Sequence, residues 1–341
     1  MMKWTLPLLL LLLSWQAQAA TTLKVLQFNI WQEGTVVPGG FEAIADEIIH
    51  TGADIITFSE VRNYKQTRFC DRIREALAKR GRTFYAEYSY DSGILSAFPI
   101  QHFETISPEK DDHGSVYKAV IRVDGYNVAV YTAHLDYLHA ANYLPRGYHS
   151  SSWKKLPAPV ANADSVLADN RASQRDEEIA LFLADAQKET AKGSLVILGG
   201  DFNEPSHRDW TAATKDRFDH HGAIIPWNVT LALEKDGFTD AYRQLYPDPV
   251  THPGFTFPAG NPAVPINKLA WAPEADDRDR IDFVFFRPDK RIKLKDAALV
   301  GPRASVVYGA MQEEKTKDKL VAPQGVWPTD HKALLVTFEL R

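Results

Sequence analysis

Polar residues stand at the ends of several apolar strand-like runs. Asn29 closes LQFNI, Glu60 closes DIITFSE, and His134 falls in VAVYTAHLD. Asp201 and Asn203 follow LVILGG, Asp282 sits inside RIDFVFF, and Asp330-His331 precede KALLVTF. Each has an ordinary structural explanation when taken singly. Asp201 and Asn203 suit an Asx-turn or a helix cap. Glu60 suits a salt-bridged surface, Asp330-His331 a turn, and Asn29 and His134 a hydrogen-bonded core. Asp282 is the costliest of the set, because a buried carboxylate needs a cation or several hydrogen bonds. Taken together, carboxylates from separate strand ends, with amides and two histidines, make an oxygen-rich site suited to Mg²⁺ or Mn²⁺. A His-Glu-x-x-His pattern is absent, and Cys70 is the only cysteine, so zinc is disfavoured. There is no Gly-x-x-x-x-Gly-Lys phosphate loop and no Gly-x-Ser-x-Gly elbow for a serine nucleophile.

The elements that must position these residues follow from hydrophobic periodicity. Strands are expected over residues 23–30, 54–59, 93–97, 116–123, 127–133, 195–198, 281–286 and 333–340. Helices are expected over residues 41–50, 68–80 and 173–192, each followed by a glycine stop. Asp124-Gly125 reads as a hairpin turn. Gly199-Gly200 is expected to turn the chain sharply, leaving Asp201 and Asn203 on one side. Strands and helices mix throughout, with hairpins among the strands, which indicates an α/β or α+β sandwich. Neither a repeat nor a Gly/Ser-rich linker divides the chain, so residues 20–341 read as one domain.

Residues 137–172 are the compositional exception, holding Tyr137, Tyr143, Arg146, Tyr148, Trp153, Lys154, Lys155 and three prolines. An aperiodic segment of this length is functional or disordered, and its aromatic content argues for function. It directly follows His134, so it is expected to overhang the site as a lid. There Arg146, His149, Lys154 and Lys155 would meet an anionic group, and Tyr137 and its neighbours would stack on a ring. Arg278 and Arg280, beside Asp282, are candidate clamps for an anionic group, the alternative being a solvated charge run. Cys70, next to Phe69, reads as core.

The chain has 341 residues, 45% hydrophobic and 24% charged, with a formal charge of −5. This excludes a disordered chain and a disulfide scaffold, and it provides no global basic field for nucleic acid. Lys3, the apolar run over residues 6–13 and Ala17-Gln18-Ala19 read as an export signal, the alternative being an N-terminal membrane anchor. The run is too short to span a membrane. The mature protein is therefore expected to begin near Ala20 and to be periplasmic or secreted, without stable membrane insertion.

The order of these motifs resembles the endonuclease/exonuclease/phosphatase superfamily, the DNase I-like fold. The resemblance runs from Leu23 to the C-terminus through QFNIW, ITFSEV, SGILSAFPI, TAHLD, GGDFNEP, DRIDFVF and TDHKALLVTF. It implies a four-layer sandwich, two β-sheets face to face with helices outside. It also implies hydrolysis of a phosphoester with a divalent cation and no covalent enzyme intermediate. By resemblance Glu60 would hold Mg²⁺ (or Mn²⁺), with Asn29 and Asp330 close to it. Asp201 would orient or deprotonate the attacking water, and Asn203 would hydrogen-bond the phosphate. Asp282 would pair with His331, which would contact a phosphoryl oxygen, and His134 would meet the phosphate from the other side. Three readings follow. The first is a hydrolase of small phosphoesters such as lipid, polyol or nucleotide headgroups. The second is a secreted nuclease, and the third a binding protein that kept the fold and lost the chemistry. Oligomeric state and the number of metals are not legible.

Overall fold

The computed structural model describes residues 20–107 and 114–341, and the expected export signal lies outside them. In chain order the first half carries β1 (Thr21–Asn29), α1 (Gly40–Thr51), β2 (Ile55–Ser59), α2 (Phe69–Lys79) and β3 (Tyr85–Tyr88). There follow β4 (Ser92–Ser96), β5 (Ile100–Ser107), β6 (Gly114–Val123), β7 (Tyr126–Leu135), α3 (Ala163–Asn170) and α4 (Arg175–Ala191). The remainder is β8 (Leu195–Asp201), α5 (Asn228–Lys235), β9 (Thr239–Asp240), α6 (Ala241–Leu245) and β10 (Asp282–Phe286). β11 (Ile292–Val300), β12 (Ala304–Val307), β13 (Ala310–Glu313), β14 (Leu320–Val321) and β15 (Ala333–Leu340) complete the chain.

Every strand and helix read from periodicity is present. The strands form a seven-stranded sheet, β14-β11-β15-β1-β2-β4-β3, and a six-stranded sheet, β5-β6-β7-β8-β10-β9. Leu23, Val25 and Ile55 of the first sheet meet Val130, Ile197 and Val284 of the second in an apolar layer between them. Ile44, Ile48, Phe69 and Ile73 of α1 and α2 cover the outer face of the first sheet. Ile179, Phe182, Val229 and Leu233 of α4 and α5 cover the outer face of the second. The result is the expected four-layer helix–sheet–sheet–helix sandwich. Burying each such aliphatic side chain contributes about 1.5–3 kcal/mol.

Register places the site. Asn29 is opposite Ser59 where β1 and β2 run parallel. His134 is opposite Asp201 where β7 and β8 run parallel, and Asp201 is opposite Asp282 across the antiparallel β8–β10 pair. Three site residues therefore lie side by side at one level of the second sheet. At that level the apolar layer between the sheets gives way to polar bonds. Ser59 Oγ donates to Ala133 O over 3.1 Å, and Thr132 Oγ1 donates to Phe58 O over 3.1 Å.

Gly199 and Gly200 serve a different purpose from the expected turn. Both lie inside β8. A Cβ on Gly199 would come within 2.3 Å of Thr57 Oγ1 in the facing sheet, and one on Gly200 within 2.7 Å of Ala133. Gly199 lets the two sheets approach where the polar layer begins, and Gly200 makes room for Ala133 of the neighbouring strand β7. The turn itself falls at Asn203, whose φ is 49°.

The segment over residues 137–172 is ordered by its contacts. Arg146 is its anchor. The guanidinium is buried, ion-paired with Asp279, and donates to the carbonyls of Asp276 (2.9 Å) and Arg278 (3.1 Å). Cys70 is buried in the layer beneath α2, as expected.

Candidate active site

A cavity of about 340 Å³ opens where the C-terminal ends of β1, β2, β7 and β8 converge. Glu60, Asp91, His134, Asp201, Asn203, Asp330 and His331 line it. Asn29 and Asp282 lie fully buried and act through the lining residues.

Asp201 is the hub. Its Oδ1 accepts the Asn203 backbone N–H over 2.9 Å, and its Oδ2 accepts Asn29 Nδ2 over 2.8 Å. The Nε2 atoms of His134 and His331 each stand 3.9 Å from that same Oδ2. Each imidazole is backed by a carboxylate on its Nδ1. His331 pairs with Asp282 over 2.8 Å, and His134 pairs closely with Asp91. Burial alone would lower both imidazole pKa values, but Asp282 and Asp91, with Asp201, more than offset it and push each up to about 10. Both rings therefore present a charged Nε2–H toward Asp201 at neutral pH. Burial and the charge of Asp282 push the Asp201 carboxyl up to about 6, against the pull of the two histidines. A carboxylate with that pKa is ionised at pH 7 and basic enough to take a proton from water.

Glu60 and Asp330 form the second half of the site. Glu60 holds a left-handed backbone, φ 66°, a conformation that costs a non-glycine residue and recurs at functional positions. Its carboxylate accepts Asn29 Nδ2 over 3.2 Å and the Gln32 N–H over 2.9 Å. Burial raises the Asp330 carboxyl to about 7, with His331 opposing the shift and Glu60 adding to it. Two carboxylates that repel one another beside neutral amide donors form an all-oxygen set that fits a hard divalent cation. Asp201, Asp282 and His331 also offer ligand atoms within 4.8 Å of one another. In that group the imidazole is tied to Asp282 and charged, which suits proton handling better than ligation.

The clamp candidates Arg278 and Arg280 and the lid residue Arg146, all expected to meet the substrate, are engaged elsewhere, and this corrects the sequence reading. Arg280 is fully buried and pairs with Asp240 (2.7 Å) and Asp209 (2.9 Å). Arg278 pairs with Asp276 (2.6 Å) and Glu314 (2.8 Å). Arg146 anchors the lid on Asp279. A guanidinium that sinks into the core must bring its carboxylate, and each of these does. Lys155 pairs with the exposed Glu274, and neither it, His149 nor Lys154 lines the cavity. Tyr137 does line it.

Some lining residues went unread in the sequence. Asp91 immediately precedes β4, so the signal was an acidic residue before an apolar strand. Arg62, two residues after Glu60, is the only guanidinium lining the cavity, and it forms no ion pair among the described residues. Trp31, Tyr64, Phe257 and Trp271 complete an aromatic wall with Tyr137, Tyr143 and Trp153.

The sequence matches the Endonuclease/Exonuclease/phosphatase family over residues 26–331, and the chain belongs to that family, whose members are phosphoester hydrolases. An uncharacterized Caenorhabditis elegans protein, F14F9.5, is 28% identical over 270 residues, 78% of each chain. Among solved structures, D. rerio TDP2 complexed with single-strand DNA product aligns with a TM-score of 0.52 at 17% identity, covering 93% of this chain and 99% of that one. The human Nocturnin catalytic domain with bound sulfate aligns at 0.51 and 14% identity, covering 94% and 95%. At these identities the two structures share the fold with this chain.

Proposed function

We propose that the protein is an exported hydrolase of small phosphoesters, dependent on Mg²⁺ or Mn²⁺, that works by direct attack of water. The observation that carries this reading is Asp201 lying between two carboxylate-backed imidazolium groups on one wall of a cavity. Asp201 would deprotonate the water. His134 and His331 would donate Nε2–H to phosphoryl oxygens from either side, where negative charge builds in the transition state. The Asn203 side chain donates to Leu135 O over 2.9 Å, which holds its loop beside Asp201. Arg62 would hold a non-reacting phosphate oxygen. Glu60 and Asp330 would hold the cation, which supplies Lewis-acid neutralisation of phosphate charge. Asn29, expected close to the cation, turns its amide nitrogen to Glu60 and its oxygen to the Trp31 N–H, so it would position Glu60 rather than ligate. The substrate would be compact, since the cavity is near the lower end of the usual range for ligand sites.

A nuclease is the second reading. It is favoured by the aromatic wall and by the single-strand DNA bound to the TDP2 neighbour. Supercoiled plasmid and a small phosphodiester, offered to the purified protein with Mg²⁺, separate the two. Hydrolysis of the small ester without nicking supports the first, nicking supports the second, and neither would overturn both. Export rests on the N-terminal signal read from the sequence; no described helix is long and apolar enough to cross a membrane. N-terminal sequencing of exported protein should begin near Ala20.

A further inference from the structure

Among the described tryptophans Trp271 stands apart. It is 43% exposed, while Trp31, Trp210, Trp227 and Trp327 are all buried. It lines the catalytic cavity and also a neighbouring groove that runs past Gln32 toward Asn267 and Lys268. Other large apolar side chains are as exposed, among them Tyr85 and Tyr308; what distinguishes Trp271 is that its exposed indole lies at the catalytic cavity.

The loop that carries it is firmly held. Glu274 N–H donates to Tyr148 Oη over 3.0 Å, and Arg146 Nε donates to Asp276 O over 2.9 Å. Ala272 and Ala275 are buried against Tyr143 and Tyr148 of the lid. Trp153 packs against Trp271 with ring centroids 4.7 Å apart and planes at 60°, and Tyr143 braces Trp153 at 6.4 Å and 85°. Two segments distant in sequence thus fix one indole at the mouth of the cavity.

We propose that Trp271, braced by Trp153, is a specificity-determining platform on which a planar ring of the substrate stacks, a proposal that rests on the phosphoester-hydrolase reading. Trp153 and Trp271 are in direct contact edge to face, so no cation fits between that pair. The part of the Trp271 indole left exposed at the cavity suits offset stacking of a flat group beside the phosphate site. The platform adds nothing to bond cleavage, so its effect belongs in KM rather than kcat.

The test compares phenyl methyl phosphate with cyclohexyl methyl phosphate, esters of similar size with a flat and a puckered ring. For Trp271→Ala the expected result is a KM raised about tenfold for the phenyl ester and less than about twofold for the cyclohexyl ester, with kcat unchanged. Trp271→Phe should recover most of the loss. Equal effects on both esters, or no effect on either, would overturn the platform. Calorimetric titration with phenylphosphonate and cyclohexylphosphonate gives a readout independent of turnover. Selective loss of phenylphosphonate binding in Trp271→Ala supports the platform even if the wild type hydrolyses neither ester, a result that would sink the hydrolase reading alone. Unchanged phenylphosphonate binding would overturn the platform.

Discussion

Asn29 donates to Asp201 across 2.8 Å, and that bond joins the end of β1 in one sheet to the end of β8 in the other. The same amide nitrogen lies 3.2 Å from Glu60. A single buried side chain thus connects the residue assigned to water with the residue assigned to the cation. The site is a product of sheet register, and the polar layer between the sheets is where the fold and the chemistry meet.

Replacing Asp201 should remove turnover without unfolding the chain. Asp201→Ala is expected to lower kcat/KM on the order of 10³-fold or more, with the circular dichroism spectrum retained. Asn29→Ala leaves Asp201 and Glu60 unpositioned and should cost activity as well. A folded Asp201→Ala protein with near-normal turnover would remove Asp201 from the mechanism.

The Asp91 partner of His134 predicts a pH effect. Burial disfavours the charged ring, yet Asp91 raises its pKa to about 10, above the ordinary 6.5. In Asp91→Asn that support is gone, so the ring should lose its proton well below pH 10 and activity should fall across roughly pH 6–9, where the wild type holds. Stability follows the same sign. The contribution is fully present below pH 6.5 and is lost as pH rises toward 10. The Tm gap between wild type and Asp91→Asn should therefore be widest in mild acid and narrow with rising pH. Identical pH profiles for the two proteins would refute the pairing.

Cation binding should be visible without turnover. Adding Mg²⁺ or Mn²⁺ to chelator-treated protein should raise Tm, because the ion relieves repulsion between Glu60 and Asp330. Glu60→Gln and Asp330→Asn should each shrink that shift and raise the metal concentration needed for activity. A full shift in both variants would place the ion elsewhere.

The arginines divide into structural and functional sets. Arg280→Ala breaks a buried network and should destabilise the fold by about 3–5 kcal/mol. Arg62→Ala should leave Tm within a degree or two of wild type and raise KM about tenfold, the loss of one charge-assisted contact. Denaturant titration and steady-state kinetics on the two variants separate these outcomes.

Much of this site was legible in the sequence because strand register has a period of two residues, and apolar runs ending in acid, amide or imidazole mark strand ends. Asn29, Glu60, His134, Asp201, Asn203, Asp330 and His331 were all visible in that way. Asp282 was visible for another reason, as a carboxylate inside an apolar run. What the sequence hid depends on pairing between distant segments. Nothing local shows that Arg280 is matched by Asp209 and Asp240, or that Arg146 is matched by Asp279. The glycines of β8 are ambiguous in the sequence because close packing of neighbouring segments and a sharp turn both call for glycine. Edge strands such as β5, and the short β12–β13 hairpin, carry too weak a polar–apolar alternation to be read.

The most direct test is a single turnover in ¹⁸O-labelled water, with wild-type protein and Mg²⁺ in excess over a small phosphodiester and Asp201→Asn and chelator controls beside it. The account predicts one ¹⁸O in the phosphoryl product of the first turnover, no phosphorylated protein, and no product in either control. Phosphate trapped on the protein, ¹⁸O in the alcohol rather than in the phosphoryl product, or wild-type rates in Asp201→Asn would contradict it.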